Sequence, residues 1–195
     1  MEPQRLTAAS RFVRRHFRAV IRDVFRGNMS NNIIEQIESA FQQTLHPGDE
    51  NLVAHPSDPE SQLVAQHFAG KRHWHSLTSA FLNEPRGTIS FFSDMAFRFY
   101  LPAFMIADIQ GTLEWDDPSV RLCWSHTTSS GEQRIAKVWG GGTIKDRAED
   151  CHRHFDSRQV SAIVAYLWWK LNTNKDEDLC VTEALENYWL KREEE

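Results

Sequence analysis

No apolar run in this chain is long enough to cross a bilayer: the longest, Val160 to Trp169, is about half of the roughly 20 residues that a spanning helix needs. Cysteine is scarce as well. Cys123, Cys151 and Cys180 are odd in number, far apart and free of any Cys-x-x-Cys spacing, which argues against a disulfide-stapled secreted domain and predicts reduced thiols in the cytoplasm. The first residues lack the apolar core and small-residue cleavage site of a secretory signal. Gly-x-Ser-x-Gly, His-Glu-x-x-His and the glycine fingerprints of nucleotide binding are also missing, so the commonest hydrolase, metallopeptidase and nucleotide signatures are excluded. "GGGTIK", residues 140 to 145, has glycines but not the spacing of a phosphate loop, and reads as a flexible turn. No internal repeat or low-complexity segment occurs.

What is present is an ordinary globular composition, 41% hydrophobic and 25% charged over 195 residues. A chain of that size buries roughly 70% of its unfolded surface as one domain. Its charge is uneven. Residues 1 to 27 hold seven arginines against Glu2 and Asp23, a net +5 in a chain whose total is −5, so the remainder stands at −10. In that first segment Leu6, Ala9, Val13, Phe17, Val20, Ile21, Val24 and Phe25 recur at three and four, while Arg11, Arg14, Arg15, Arg18 and Arg22 fall largely outside the stripe. The pattern predicts a basic amphipathic helix over 1–27, ended by Gly27 and Asn28, and a single helical domain over 28–195. Such a helix suits an anionic membrane, a nucleic-acid backbone or an acidic partner, or packs on the chain's own acidic body.

The body reads as capped helices. Ser30 is placed to cap one with Ile33, Ile37, Phe41 and Leu45 inside. A short helix over about Glu60 to Phe68 follows, then an apolar face of Trp74, Leu77, Thr78 and Phe81 closed by "NEPRG". Ser93 caps a long aromatic helix that meets Pro102 well past its first turn. A proline there removes one backbone bond and predicts a kink that wraps the core. Arg98, one turn after Asp94, is spaced for a local salt bridge. "VRLCWSH", residues 120 to 126, alternates like a half-buried strand, and "RIAKVW", residues 134 to 139, is spaced to pair with it as one small β-hairpin. Asp156 with Gln159 forms a capping-box-like pair beneath Val160, Ile163, Val164, Leu167, Trp168 and Leu171, and a final helix buries Val181, Leu185, Tyr188 and Trp189. The fold class expected is mainly α, a single compact multi-helix domain with a kinked central helix.

Three stretches carry a resemblance. "ISFFSDMAFRFYLPAFMIADI", residues 89 to 109, "HFDSRQVSAIVAYL", residues 154 to 167, and "IESAFQQTLHPG", residues 37 to 48, resemble an uncharacterised bacterial family, domain-of-unknown-function family 6714, over about residues 32 to 192. The resemblance implies a mainly helical fold and brings no reaction, cofactor or catalytic residue.

Candidate chemistry is sparse. His73 and His75 flank Trp74, a spacing that on a helix turns them away from one another. Cys151 and His154 share a helical face and form the better ligand pair, with Asp150 or His126 within reach, but no second spaced pair completes a zinc signature, so no cofactor is expected. A thiol or metal-assisted hydrolase built on His126, Cys151 and His154 is one reading. Trp168 and Trp169 point in different directions, and Trp169 lies outside the apolar stripe. Aromatic and arginine side chains anchor protein interfaces. The favoured expectation is therefore a non-catalytic module that binds an unidentified protein partner through Arg11, Arg14, Arg15, Arg18 and Trp169. Nucleic acid is not the expected partner, and anionic-surface binding through the arginine helix stays as a further alternative.

Overall fold

The computed structural model describes residues 26–137, 141–173 and 178–194, with side chains from Ser30 onward. The segment carrying Arg11, Arg14, Arg15 and Arg18 lies outside the described residues. Helix α1 spans Arg26–Phe41, so neither the stop at Gly27–Asn28 nor the start at Ser30 is found. Propensity is a weak prior, and a glycine and three asparagines within the helix cost at most about 1 kcal/mol each. Ile33, Ile37, Ala40 and Phe41 are buried, whereas Leu45, read as the end of that stripe, lies past the helix and is 83% exposed.

Asp58 caps α2, Pro59–Phe68, by accepting the Ser61 N–H at 2.8 Å, with proline in the first turn where its missing donor costs nothing. The apolar face around Trp74 is not one helix. It is a 3₁₀ turn, Trp74–Ser76, followed by α3, Ser79–Leu82, and a further short helix α4, Thr88–Phe91. Helix α5, Asp94–Ile109, begins as its cap predicts: Ser93 Oγ accepts the Ala96 N–H at 3.1 Å. It runs through Pro102 without interruption and buries 10 of its 16 residues, Leu101 and Phe104 among them. Phe68, Phe92 and Tyr100 stack around its first half, and α1 and the Trp74 turn pack against it.

The stretch from Pro118 differs from its alternating pattern. Asp117 caps α6, Pro118–Cys123, through the Ser119 N–H at 2.9 Å, and a 3₁₀ turn, Trp124–His126, continues it. An Asp-Pro-Ser start is a helix signal that outweighs a short alternation. Among the described residues there is no sheet, only isolated bridges, one of which joins Arg134 to Thr143 across the glycine-rich loop rather than to the 120–126 segment. Gly141 and Gly142 take positive φ, 70° and 77°, to close that loop.

Helix α7, Ile144–His152, starts in a capping box of Thr143 and Asp146. Helix α8, Ser157–Thr173, starts on the expected pair, with Gln159 N–H donating to Asp156 Oδ1 at 3.0 Å and Asp156 N–H to Gln159 Oε1 at 3.3 Å. The last run is α9, Leu179–Ala184, a π-helical turn, Leu185–Trp189, and α10, Leu190–Glu193, with Val181, Leu185, Tyr188 and Trp189 buried as their spacing predicts. Helix α1 lies along α8, and the end of α1 meets the start of α8, through Phe41 on Phe155 and Thr44 on Gln159. The two are therefore antiparallel, and the chain enters α1 at the end of α8 that bears Trp169. Among the described residues no helix is long and apolar enough to cross a membrane.

Candidate functional site

The three residues proposed for catalysis do not converge. Cys151 is buried on α7, but the helix ends at His152, so His154 leaves that face and is exposed. Burial, then the Asp94 carboxylate, pushes the Cys151 thiol up to about 12 against the opposing pull of Arg121. Burial likewise raises Cys123 far above the ordinary thiol range and Cys180 to about 11. His126 is buried and meets neither Cys151 nor His154 in a hydrogen bond. Its Nε2 lies 2.9 Å from Nδ1 of His152, the histidine that sits between Cys151 and His154 in the "CHRH" stretch read as a ligand set. Among the described residues no three His, Cys, Asp or Glu side chains come together as a group able to hold a metal ion.

Other candidates also take new partners. His73 and His75 lie in and beside a 3₁₀ turn instead of an α-helix, which brings their exposed rings to 5.7 Å. Arg98 passes over Asp94 to donate from Nε to Gln159 Oε1 at 2.9 Å, with Asp156 at 3.8 Å, while Asp94 faces Arg121 at 3.4 Å. Tertiary partners on α8 and α6 outcompete the local i, i+4 pair, which is worth only about 0.3–0.5 kcal/mol. Trp169 is half-buried and stacks on Tyr166 at 5.9 Å. Lys170 is buried and bonded to Asp108 at 2.7 Å and Asp117 at 3.2 Å, and the Tyr166 hydroxyl donates to Asp108 at 2.6 Å. Burial works against the lysine's charge, yet those two carboxylates hold its pKa above the ordinary value. This cluster ties the end of α8 to α5 and to the cap of α6. Tyr166 and Lys170, one turn apart on one helix, were its only trace in the sequence.

A different group of side chains is apolar and exposed. Trp115, Val120, Trp124 and Leu179 are exposed by 51%, 58%, 48% and 49%, and make up more than half of the large apolar side chains exposed among the described residues. Val120 and Trp124 are one turn apart on α6 and its 3₁₀ extension, and α9, which begins at Leu179, packs on both elements. Trp115 precedes α6 and carries the Arg86 guanidinium 3.5 Å above its ring. Carboxylates lie on the same elements: Asp117 at the cap of α6, its side chain 43% exposed, and Glu183 on α9, which accepts the Thr128 N–H at 2.7 Å. The apolar alternation of 120–126 was the signal for this ridge, read on the wrong element.

Fold and surface together define a mainly helical domain whose buried ionisable groups are largely committed to internal bonds and whose apolar excess lies outside. The chain belongs to the family of unknown function DUF6714, the family model matching residues 29–193 and so starting just past the arginine-rich segment. Neither the curated proteins nor the solved structures yield a match to it.

Proposed function

We propose that this protein is a non-catalytic interaction module, and that its protein partner docks on the ridge of Trp115, Val120, Trp124 and Leu179. The observation that carries the reading is the Val120–Trp124 pair, exposed one turn apart on elements against which the helix beginning at Leu179, itself half exposed, is packed. Contiguous exposed apolar side chains are costly in water and mark interaction surfaces, and tryptophan is an effective anchor. The net −10 of the chain beyond residue 27 favours a partner whose apolar side chains are flanked by lysine or arginine, and disfavours phosphate-rich nucleic acid. Thiols held protonated by burial support binding over nucleophilic catalysis. The reading sets the protein in the cytoplasm, with Trp169 and the arginines of the first segment as secondary contacts.

A photo-cross-linking residue at position 120, compared with one at exposed position 63, tests it in native lysate. The expected result is one partner captured at 120 and absent at 63, lost on Trp124→Ala. Equal capture at both positions would sink the reading. Salt-sensitive binding to anionic vesicles or DNA that disappears without residues 1–27 would replace it with the charge-driven alternative.

A further inference from the structure

The C-terminal run from Leu179 to Glu193 is fastened to the body around two buried histidines. The His126 ring lies flat on Tyr188, with centroids 4.1 Å apart and planes within 4°, and Asn187 Nδ2 donates to the His126 carbonyl at 2.9 Å. His152 faces Trp189 at 4.9 Å, and Trp189 Nε1 donates to the Leu122 carbonyl at 3.0 Å. The π-helical turn has one extra residue per turn of helix, and its consecutive Tyr188 and Trp189 both contact the pair. The same turn carries Glu186, one of whose carboxylate oxygens is buried with no hydrogen-bond partner.

The tautomers follow from the geometry. Nδ1 of His126 is buried and has no partner, so a proton there would be an orphaned donor; Nε2–H therefore donates to His152 Nδ1. That bond places no carboxylate beside either ring, so a proton added to the pair is a charge buried without a counter-charge. A proton on His152 Nδ1 removes the acceptor of the neutral pair, and a proton on His126 Nδ1 leaves the bond in place but buries a charge and an orphaned donor. The charges that bear on the rings, Lys145 of α7 on His126 and Arg121 of α6 on His152, are both positive, and neither ring has a carboxylate hydrogen-bond partner among the described residues.

We infer that the His126–His152 pair is an acid-operated latch, whose protonation releases the run from Leu179 to Glu193 while helix α5 stays folded. The inference stands apart from the docking reading, although opening would part α9 from α6 and its 3₁₀ extension. Burial holds His126 down to about 4 and His152 well below the ordinary 6.5, so acid favours the open form.

The test is hydrogen exchange on the full chain between pH 7.5 and 4, corrected for intrinsic rates. Below pH 6.5, protection of amides 181–193 should fall by up to tenfold per pH unit for each ring that gains a proton on opening, while amides 97–107 keep theirs. His126→Phe, which retains the stack on Tyr188, should remove about half of that slope. If this variant does not fold, histidine NMR titration of the unaltered protein carries the test, with both rings neutral down to pH 5. Protection lost equally in both regions, protection of 181–193 that ignores pH, or either ring titrating near 6.5 in the folded protein would overturn the latch.

Discussion

Nine residues, Pro118 to His126, present opposite chemistry to opposite sides. Inward they deliver a histidine into an aromatic box of Tyr188 and Trp189; outward they hold Val120 and Trp124 in water. A buried polar group and an exposed apolar group are the two departures from ordinary burial that carry information, and here one helix and its 3₁₀ extension supply both. The inner side is closed by long-range bonds, so its work is to hold elements together. The outer side is unspent. Cohesion and the docking surface proposed above therefore lie on opposite sides of one short segment, against which the C-terminal run from Leu179 packs.

The inner side should fail first and by most. Trp189 is fully buried and hydrogen-bonded, so Trp189→Ala is expected to cost about 3–5 kcal/mol in urea unfolding. A loss under 1 kcal/mol would mean that the C-terminal run contributes little and that the two sides are less different than their packing indicates. Acid comes next. Burial holds the folded His126 down to about 4 against an ordinary 6.5, so its contribution is complete above pH 6.5 and is lost as pH falls toward 4. At about 1.4 kcal/mol per unit that is about 3 kcal/mol from this ring, with His152 adding in the same direction. Stability measured by urea at pH 7, 6, 5 and 4 gives the slope, and the paired histidines should account for its sign. A third, smaller effect acts through α7, which carries His152: Thr143→Ala removes its capping box and should cost about 1 kcal/mol.

Much of the inner side was legible from local signals. Ser93, Asp156 with Gln159, and the spacing of Val181, Leu185, Tyr188 and Trp189 each specify a helix through neighbours within four residues, and each helix formed there. What was not legible needed distant partners. His152 is defined by His126, 26 positions away, and Arg98 by Gln159, 61 positions away, and no single-segment pattern encodes either. The 120–126 stretch failed for another reason. Its alternation fits a strand and equally fits two turns of helix with Leu122 and Cys123 inside, and the Asp-Pro-Ser start decides between them.

The outer side gives the smallest effect on stability and so the sharpest contrast. Val120→Ser with Trp124→Ser removes side chains that are 58% and 48% exposed, and the change in urea unfolding should stay within about 0.5 kcal/mol for each. Capture of a partner at position 120 should fall at least tenfold in a Trp124→Ser background, because a tryptophan anchor accounts for about 2 kcal/mol or more where it is fully covered in a complex. The two readouts must separate. Were the double substitution to cost as much stability as Trp189→Ala, Val120 and Trp124 would belong to the packing of α6 on α9, and the outward face would be part of the fold instead of a surface kept for another protein.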